Sequence, residues 1–187
     1  MNADAEVLDF WFGAEPLATR AEWFRKDEAF DARIRARFGG LVDDAIDGRL
    51  PLPDGAEAVL ARLILLDQFP RNLFRGQARA FAGDATARAL ALGLIDAGGE
   101  RVLHPLQRWF VYLPLEHAED LALQDRSCAL FAALAAEAPG FDSALDYAER
   151  HRDVIRRFGR FPHRNAALGR ASTDEERAYL ATPGSGF

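Results

Sequence analysis

The sequence predicts an all-α protein in which short loops join antiparallel helical hairpins. Apolar residues recur at three- and four-residue spacing along most of the chain, which is the periodicity of a helix with one buried face. No segment shows the alternation of apolar and polar residues that is typical of a half-buried strand. At 187 residues, with 49% apolar and 28% charged residues, the chain is long enough for one packed globular domain and too short for two ordinary ones. We therefore expect residues 1–187 to form a single helical domain.

Three helices are predicted in the first seventy residues, over Asp4–Phe12, Asp27–Asp47 and Glu57–Gln68. The first stops near Gly13 and the second at Gly48, because glycine is the favoured residue just past a helix C-terminus. The third is apolar nearly all round, as a helix at the centre of a bundle should be. We expect it to end at Phe69, since the residue before Pro70 is biased away from the helical conformation.

Five further helices complete the pattern. They cover Asp84–Ala97, Leu106–Tyr112, Pro114–Glu137, the segment from Asp142 or Ser143 to Phe158, and a short helix that starts at the capping box Ser172–Glu175. Asp84 is expected to cap the first of these helices, and Pro114 suits the first turn of the third. Gly159 should stop the fourth. The sequence shows no fixed repeat period.

The composition argues against several classes of function. The formal net charge of −6 disfavours a protein that binds nucleic acid or acidic membranes over its whole surface. The single cysteine, Cys128, excludes an internal disulfide and a multi-cysteine metal cluster, and no two histidines stand at a spacing that would ligate one ion from one helix. We therefore expect neither a metal nor another cofactor.

The chain also lacks the signals of export and membrane insertion. Its N-terminus carries acidic residues where a secretory signal would carry basic ones. No uninterrupted apolar run, Leu63–Leu66 included, approaches the length of a membrane span. These features favour a cytoplasmic protein.

The most unusual stretch runs from His151 to Arg170. It contains six arginines and two histidines around one carboxylate, Asp153, in a chain that is otherwise acidic. Its Phe-Pro-His-Arg-Asn segment echoes the Phe-Pro-Arg-Asn segment of an earlier stretch, Asp67–Gly76. Loop residues this polar and this clustered indicate either helix capping and ion pairing or the binding of an anion. The candidate ligand-binding residues of the later stretch are Arg160, His163, Arg164 and Asn165.

The earlier stretch supplies a second group of candidates. Asp67 continues the apolar stripe of its helix and should point inward, where a carboxylate is costly unless it is paired. Arg71 is the nearest partner on the same side, and Asn72 follows it as a neutral donor. For Asp67 and Arg71 the favoured interpretation is an internal ion pair that fixes the helix end, and the alternative is one wall of a ligand pocket.

Polar residues also fall on the apolar face predicted for the segment from Glu116 to Gln124. Helical spacing places His117 and Gln124 on one apolar stripe. Glu116 and Asp120 lie on the row beside it. His117 is thus a candidate acid or base, oriented by Asp120 or Glu116, and Asp120 is a candidate catalytic residue. Gln124 is a candidate ligand-binding residue. For His117, a hydrogen-bonded core histidine is the equally weighted alternative. His151 has no polar neighbour on its own stripe, which favours a structural role.

Four segments carry a resemblance to a known family. They are VLDFWFG (7–13), LARLILLDQFPRNLFRG (60–76), LPLEHAEDLALQ (113–124) and RFGRFPHRNAALGR (157–170). With these motifs, which extend across essentially the whole chain, the sequence resembles the bacterial domain-of-unknown-function family 924. The resemblance implies an all-helical fold similar to tetratricopeptide-repeat proteins, without the usual sequence signature of that repeat. It implies no activity, substrate or catalytic residue.

Three functions are compatible with these residues. The first is a binding module whose inward polar face holds a small anionic ligand or an acidic peptide, with arginines as bidentate donors. The second is an enzyme that acts on a small anionic substrate, in which His117 transfers a proton. The third, RNA binding through the arginine-rich stretch, ranks last because the chain is acidic and half of that stretch is predicted to be the solvated face of a helix. The first two hypotheses require that the side chains of Asp67, His117 and Arg164 lie around one polar pocket.

Overall fold

Helices and turns make up the regular structure of residues 2–185, the part of the chain that the computed structural model describes. The α-helices are α1 Ala3–Phe12, α2 Glu28–Ile46, α3 Ala56–Leu63, α4 Phe69–Leu73, α5 Asp84–Asp96, α6 Pro105–Glu116, α7 Leu121–Glu137, α8 Asp142–Phe158 and α9 Asp174–Leu180. A π-helix, Ile64–Gln68, joins α3 to α4, and 3-10 turns lie at Ala21–Trp23, Ala78–Phe81, Gly99–Val102 and Pro162–Arg164. No strand occurs among these residues, so the all-α fold is confirmed. Within the same part of the chain, no helix has both the length and the apolar character to cross a membrane.

Contacts between the helices divide the described chain into two compact units. The first comprises the residues up to Arg75 together with Arg79–Pro114. The second comprises Gly76–Ala78 and the residues from Leu115 onward, and it contains α7, α8 and α9. The single domain expected from the sequence stays a prediction, as does the tetratricopeptide-like arrangement of the hairpins.

An aromatic core fills the first unit. All three aromatic residues of α1 are buried: Phe10, Trp11 and Phe12. The Trp11 ring meets Phe69 and Phe110 edge-on, with the ring centroids 5.6 Å apart in each pair. Trp23 also packs edge-on against Phe110, at 4.8 Å. Because such pairs add to the stabilisation that burial of the rings already provides, α1 is anchored by its aromatic run.

The helix that begins at Ala56 does not end at Phe69, so this part of the sequence prediction is wrong. It continues through the π-helix into α4, which holds Pro70 in its first turn. A proline cannot donate to the carbonyl four residues before it, here that of Leu66, and its ring crowds that carbonyl. The wider π turn accommodates the ring, because the Phe69 N–H bonds to the Ile64 carbonyl, five residues back.

Pro114 lies inside α6 rather than in the first turn of the next helix, which corrects a second boundary. The break falls at the end of α6, and α7 begins one residue after Asp120. The Asp120 carboxylate caps α7 by accepting a hydrogen bond from the Leu123 N–H at 3.1 Å. His117 therefore lies in the turn between two helices and not on the stripe predicted for α7.

Two caps differ from their predicted positions by one residue. Gly83, and not Asp84, occupies the N-cap of α5, and Asp84 lies in the first turn. The capping box of α9 falls one residue later than Ser172–Glu175. Thr173 and Glu176 form it, with side chain–backbone hydrogen bonds of 2.8 and 3.1 Å.

The second unit is built on the hairpin of α7 and α8, which pack along each other. Gly159 ends α8 as predicted, with a φ of 69° that glycine adopts without strain. The chain then reaches Phe161, whose ring is fully buried with Val154 and Ile155. α9 packs against the 3-10 turn Pro162–Arg164 that follows. The unit therefore carries the whole arginine-rich stretch.

Candidate functional site

The Asp67–Arg71 pair predicted from the sequence is present and includes a third residue, Asp84. Asp67 is 1% exposed, and its Oδ1 lies 3.1 Å from Arg71 Nη1. Arg71 also donates to both oxygens of the Asp84 carboxylate, at 3.0 and 3.1 Å. Burial acts to lower the pKa of Arg71, but the two carboxylates outweigh it and raise that pKa. These contacts form an ion-pair group within the first unit, which is the interpretation that the sequence favoured.

Asn72 and Arg75 contact α2 through one carboxylate, that of Asp31. Asn72 Nδ2 donates to it at 2.7 Å. Arg75 donates to it through Nε and Nη2 at 3.0 to 3.2 Å. Every polar side chain of this stretch that the sequence singled out therefore has a protein partner, and a ligand-binding role for Asp67, Arg71 or Asn72 stays a prediction.

In the second unit, a buried imidazole–carboxylate pair lies where the sequence predicted a structural histidine. His151 is 5% exposed and Glu116 is 3% exposed. His151 Nδ1 lies 3.2 Å from Glu116 Oε1 and 2.8 Å from the Tyr147 carbonyl oxygen. Because a carbonyl oxygen can only accept, Nδ1 carries the hydrogen and Nε2 of the neutral ring carries the lone pair. The carboxylate comes from α6, so no spacing within α8 could indicate it.

Three more basic side chains gather near His151. The ring of the half-buried His117 lies 6.2 Å from that of His151. The Phe161 ring lies 5.6 Å from the His151 ring and 5.5 Å from that of His163, which is also half-buried. The Arg164 guanidinium lies 4.4 Å from the Phe161 centroid. We call His117, His151, His163 and Arg164 the basic cluster.

The stability of the protein should depend on pH through His151. Burial, and then the other members of the basic cluster, lower the pKa of His151 from 6.5 to about 3. Between these two pH values the unfolded chain binds a proton that the folded protein does not, so the free energy of unfolding should fall as the pH falls. The contribution of one such group is at most about 1.4 kcal/mol for each pH unit.

Urea unfolding at several pH values from about 6 to about 4 measures this dependence. We expect His151→Asn to lose the part of the slope that His151 contributes, because Asn keeps a donor and does not titrate. His104→Asn, which replaces an exposed histidine outside the basic cluster, is the matched control. Parallel curves for the wild type and His151→Asn would contradict the prediction.

Gln124 and Asp120 hold the turn between α6 and α7. Gln124 is fully buried, and its Nε2 donates to the carbonyls of Glu116 and Ala118 at 2.6 and 2.7 Å. Asp120 caps α7. Both side chains thus satisfy backbone groups at helix ends. Their expected roles, ligand binding for Gln124 and catalysis for Asp120, stay predictions.

Arg160 and Asn165, the other candidates of the later stretch, contact Glu176 of α9. Arg160 donates to the Glu176 carboxylate through Nε and Nη2 at 2.6 and 2.8 Å. Asn165 is 1% exposed, and its Nδ2 lies 3.2 Å from the same carboxylate. Hydrogen bonds, above all that from Arg160, lower the pKa of Glu176 to about 2. The three residues tie α9 to the loop that follows α8.

One ion pair that the sequence did not indicate borders the basic cluster. Glu119 accepts the Phe161 N–H at 2.8 Å and two N–H groups of Arg170 at 2.6 and 2.9 Å. Burial acts to raise the pKa of Glu119, but Arg170 and the Phe161 N–H outweigh it and lower that pKa. The polarity of the loop predicted ion pairing as one alternative, with Asp67, Glu116 or Asp120 as the expected partners.

The arginines of α8 pair with acidic side chains at the surface. The pairs are Arg150–Asp146, Arg152–Glu149, Arg156–Asp153 and Arg157–Glu175, at 2.6 to 3.5 Å. Exposed pairs of this kind contribute only about 0 to 1 kcal/mol each. These ion pairs nevertheless reduce the positive potential that binding to RNA phosphates needs. RNA binding therefore remains the last of the three hypotheses.

The candidates from the sequence therefore fall into two groups. The basic cluster lies within the second unit, whereas Asp67, Arg71 and Asn72 belong to the first. That Asp67, His117 and Arg164 lie around one polar pocket stays a prediction. Over residues 2–185, no group of three His, Cys, Asp or Glu side chains is arranged to hold a metal ion.

Comparison with known proteins relates most of the chain to one family. Residues 7–184 match the family described as bacterial protein of unknown function, DUF924. No curated protein matches the chain. Among solved structures, the protein of unknown function ATU0120 from Agrobacterium tumefaciens is 44% identical, over 95% of this chain and 96% of that chain, with a TM-score of 0.81. The two chains share a fold.

Proposed function

This chain belongs to the DUF924 family of bacterial proteins, and from its own side chains we propose that it is a binding protein for anions. The ligand is a small molecule with a phosphate or carboxylate group, or a carboxylate of an acidic peptide. The binding site is the basic cluster of the second unit, which a ligand reaches at the half-buried His117 and His163. The observation that carries the proposal is the gathering of His117, His163 and Arg164 around the buried His151–Phe161 pair.

The chemistry of the basic cluster suits an oxyanion better than a cation or an apolar ligand. The guanidinium of Arg164 is charged at every accessible pH and, at 4.4 Å from the Phe161 centroid, is oriented by the ring. Arg164 is only 6% exposed and also acts on Glu119, whose pKa it helps to lower, so under this proposal it adds positive potential behind the half-buried histidines. Imidazole N–H groups of His117 and His163 add further hydrogen-bond donors.

Two carboxylates next to the basic cluster are each engaged by a basic group. Glu116 contacts His151 Nδ1 at 3.2 Å. Glu119 accepts two hydrogen bonds from Arg170, which lies outside the cluster. Arg170 offsets the charge of Glu119, which favours an anion site beside it, whereas Glu116 has a neutral partner in His151 and keeps its charge.

Calorimetric titration and thermal shift at constant ionic strength test the proposal. The probes are inorganic phosphate, acetate and a glutamate-rich peptide. We expect at least one to bind the wild type and raise its melting temperature by mass action. His163→Gln should weaken that binding roughly tenfold, the value of one charge-assisted hydrogen bond of about 1.4 kcal/mol.

His104→Asn is the control for loss of a histidine. His104 Nδ1 accepts the Leu106 N–H at the start of α6, a role that asparagine also performs, so the fold should be retained. Failure of all three probes to bind the wild type, or equal weakening in the control, rules the proposal out.

The buried Glu116–His151 pair supports a second candidate, an enzyme that acts on a small anionic substrate. With its pKa lowered to about 3, His151 is a poor base near neutral pH, so under this hypothesis the pair orients its neighbours and does not itself take the proton. His117, the acid or base expected from the sequence, lies beside the His151 ring. Under this hypothesis His117→Gln abolishes turnover of phosphate or carboxylate esters with little change in unfolding free energy. A variant that only loses stability would identify His117 as a structural residue.

A further inference from the structure

A groove of about 440 Å³ runs along α2 within the first unit. Its lining residues are Glu28, Asp31, Ala32, Arg35 and Ala36 of α2 and Asn72 of α4. The α2 residues recur at three- and four-residue spacing and so lie on one face of the helix. The volume falls within the range of roughly 300–1,000 Å³ that is typical of sites for small molecules.

Opposite charges stand at the two ends of this groove. Glu28 and Arg35 are separated by seven positions (35 − 28), or about 10 Å along a helix that rises roughly 1.5 Å per residue. Ala32 and Ala36 have short side chains, which leaves the space in the groove open. Glu28 forms an ion pair with Lys26 at 3.5 Å. Because exposed ion pairs contribute little free energy, a ligand can replace Lys26 as the partner of Glu28.

The Arg35 guanidinium is held in place and keeps donors for a ligand. Its Nη2 donates to the Leu73 carbonyl at 2.7 Å. A guanidinium has five N–H groups, so this bond fixes the group while most of its donors stay available. A pre-oriented guanidinium loses less conformational freedom when it binds a carboxylate.

The Asn72 amide is oriented in the same way. Asn72 Nδ2 donates to Asp31 Oδ1 at 2.7 Å, and Arg75 Nη2 donates to the same oxygen at 3.0 Å. One N–H and the carbonyl oxygen of the amide remain for a ligand. This donor–acceptor pair is complementary to a peptide group.

From these contacts we propose that the groove binds a short peptide of two or three residues with free amino and carboxyl termini. Arg35 holds the carboxylate, Glu28 holds the ammonium group, and Asn72 bonds the peptide group between them. An extended peptide of two or three residues spans about 7 to 11 Å, which agrees with the separation of the two charges. Small side chains on the peptide fit over Ala32 and Ala36.

Calorimetric titration with L-alanyl-L-alanyl-L-alanine tests this site. Because the groove is open to solvent, we expect a dissociation constant on the order of 0.1 to 1 mM. The N-acetylated and the C-amidated tripeptides should each bind at least about tenfold more weakly, since each loses one ionic contact. Equal binding of the blocked and free peptides overturns the assignment of the two ends.

Two variants of exposed alanines on α2 locate the binding. Ala32→Leu projects three more carbon atoms into the groove between Glu28 and Arg35 and should strongly weaken binding of the tripeptide. Ala29→Leu makes the same change on the same helix outside the groove and should leave binding unchanged. Leucine and alanine are both good helix formers, so both leucine variants should fold. No binding by the wild type at millimolar peptide, or the same loss in both leucine variants, excludes the site.

Discussion

Replacing Arg71 with methionine should lower the free energy of unfolding by about 3–5 kcal/mol, because it leaves a buried carboxylate without its cation. Asp67 is 1% exposed and lies 3.1 Å from the Arg71 guanidinium, which also holds both oxygens of Asp84. Methionine keeps an unbranched apolar side chain but removes the guanidinium and its charge. Urea unfolding followed by circular dichroism at neutral pH measures the loss.

Arg75→Met is the matched control for this variant. Arg75 belongs to the same stretch and also donates to an aspartate of another helix, but its side chain is 39% exposed. An exposed pair should cost at most about 1 kcal/mol. Adding Asp67→Asn to Arg71→Met should recover part of the loss, since the stranded charge is removed. Similar costs for the two arginines would mean that the Asp67–Arg71–Asp84 group does not fix the helix end.

Gly83→Ala should destabilise the protein by about 3 kcal/mol, for a reason of space and not of backbone conformation. A Cβ at Gly83 would lie 2.3 Å from the Leu66 carbonyl oxygen and 3.0 Å from the Leu66 carbonyl carbon. Both atoms belong to the backbone of the π-helix, so neither can rotate away. The clash can be relieved only if α5 or the π-helix shifts. Thermal or urea unfolding measures the resulting loss of stability.

Gly93→Ala provides the opposite expectation in the same helix. Gly93 lies in α5, and a Cβ there meets no atom within 4 Å. Alanine should stabilise the helix by about 0.5–1 kcal/mol, because glycine loses more backbone freedom on folding. If Gly83→Ala also leaves stability unchanged or raises it, the close approach of α5 to the π-helix is not a constraint on the fold.

Leu66 links this constraint to a motif that the sequence did show. Pro70 cannot donate to the Leu66 carbonyl and crowds it, and the chain responds with a π turn. The same carbonyl then lies against Gly83. Pro70 was correctly identified as a perturbation of the helix. That Pro70 causes a π turn and not a helix end depended on the tertiary contacts of that turn.

Contacts between residues that are close in sequence could be predicted from the sequence. Asp67 and Arg71 stand at i and i+4 on one helix face, so their pairing followed from helical geometry. The stop at Gly159 followed from the ease with which glycine adopts positive φ. The cap at Asp120 was missed, and with it the position of His117, because Pro114 offered a competing start signal.

Contacts between residues that are distant in sequence could not be predicted from the sequence. Glu116 reaches His151 only because the end of α6 lies beside α8. Glu119 pairs with Arg170 across a still longer stretch of sequence. No periodicity or motif specifies which of several carboxylates a given basic side chain meets, since that depends on how helices pack.

The amino-acid sequence by itself determined that this chain is helical, where most helices lie, and that the stretch His151–Arg170 concentrates basic side chains. These properties arise from local backbone preferences and from apolar periodicity, which act over one or two helical turns. Tertiary structure alone decided that His151, and not only His117, stands at the centre of the polar residues and that Asp84 completes the Arg71 group. Burial and ion pairing act through space, so a residue's partner and its charge state are fixed only when the helices are packed.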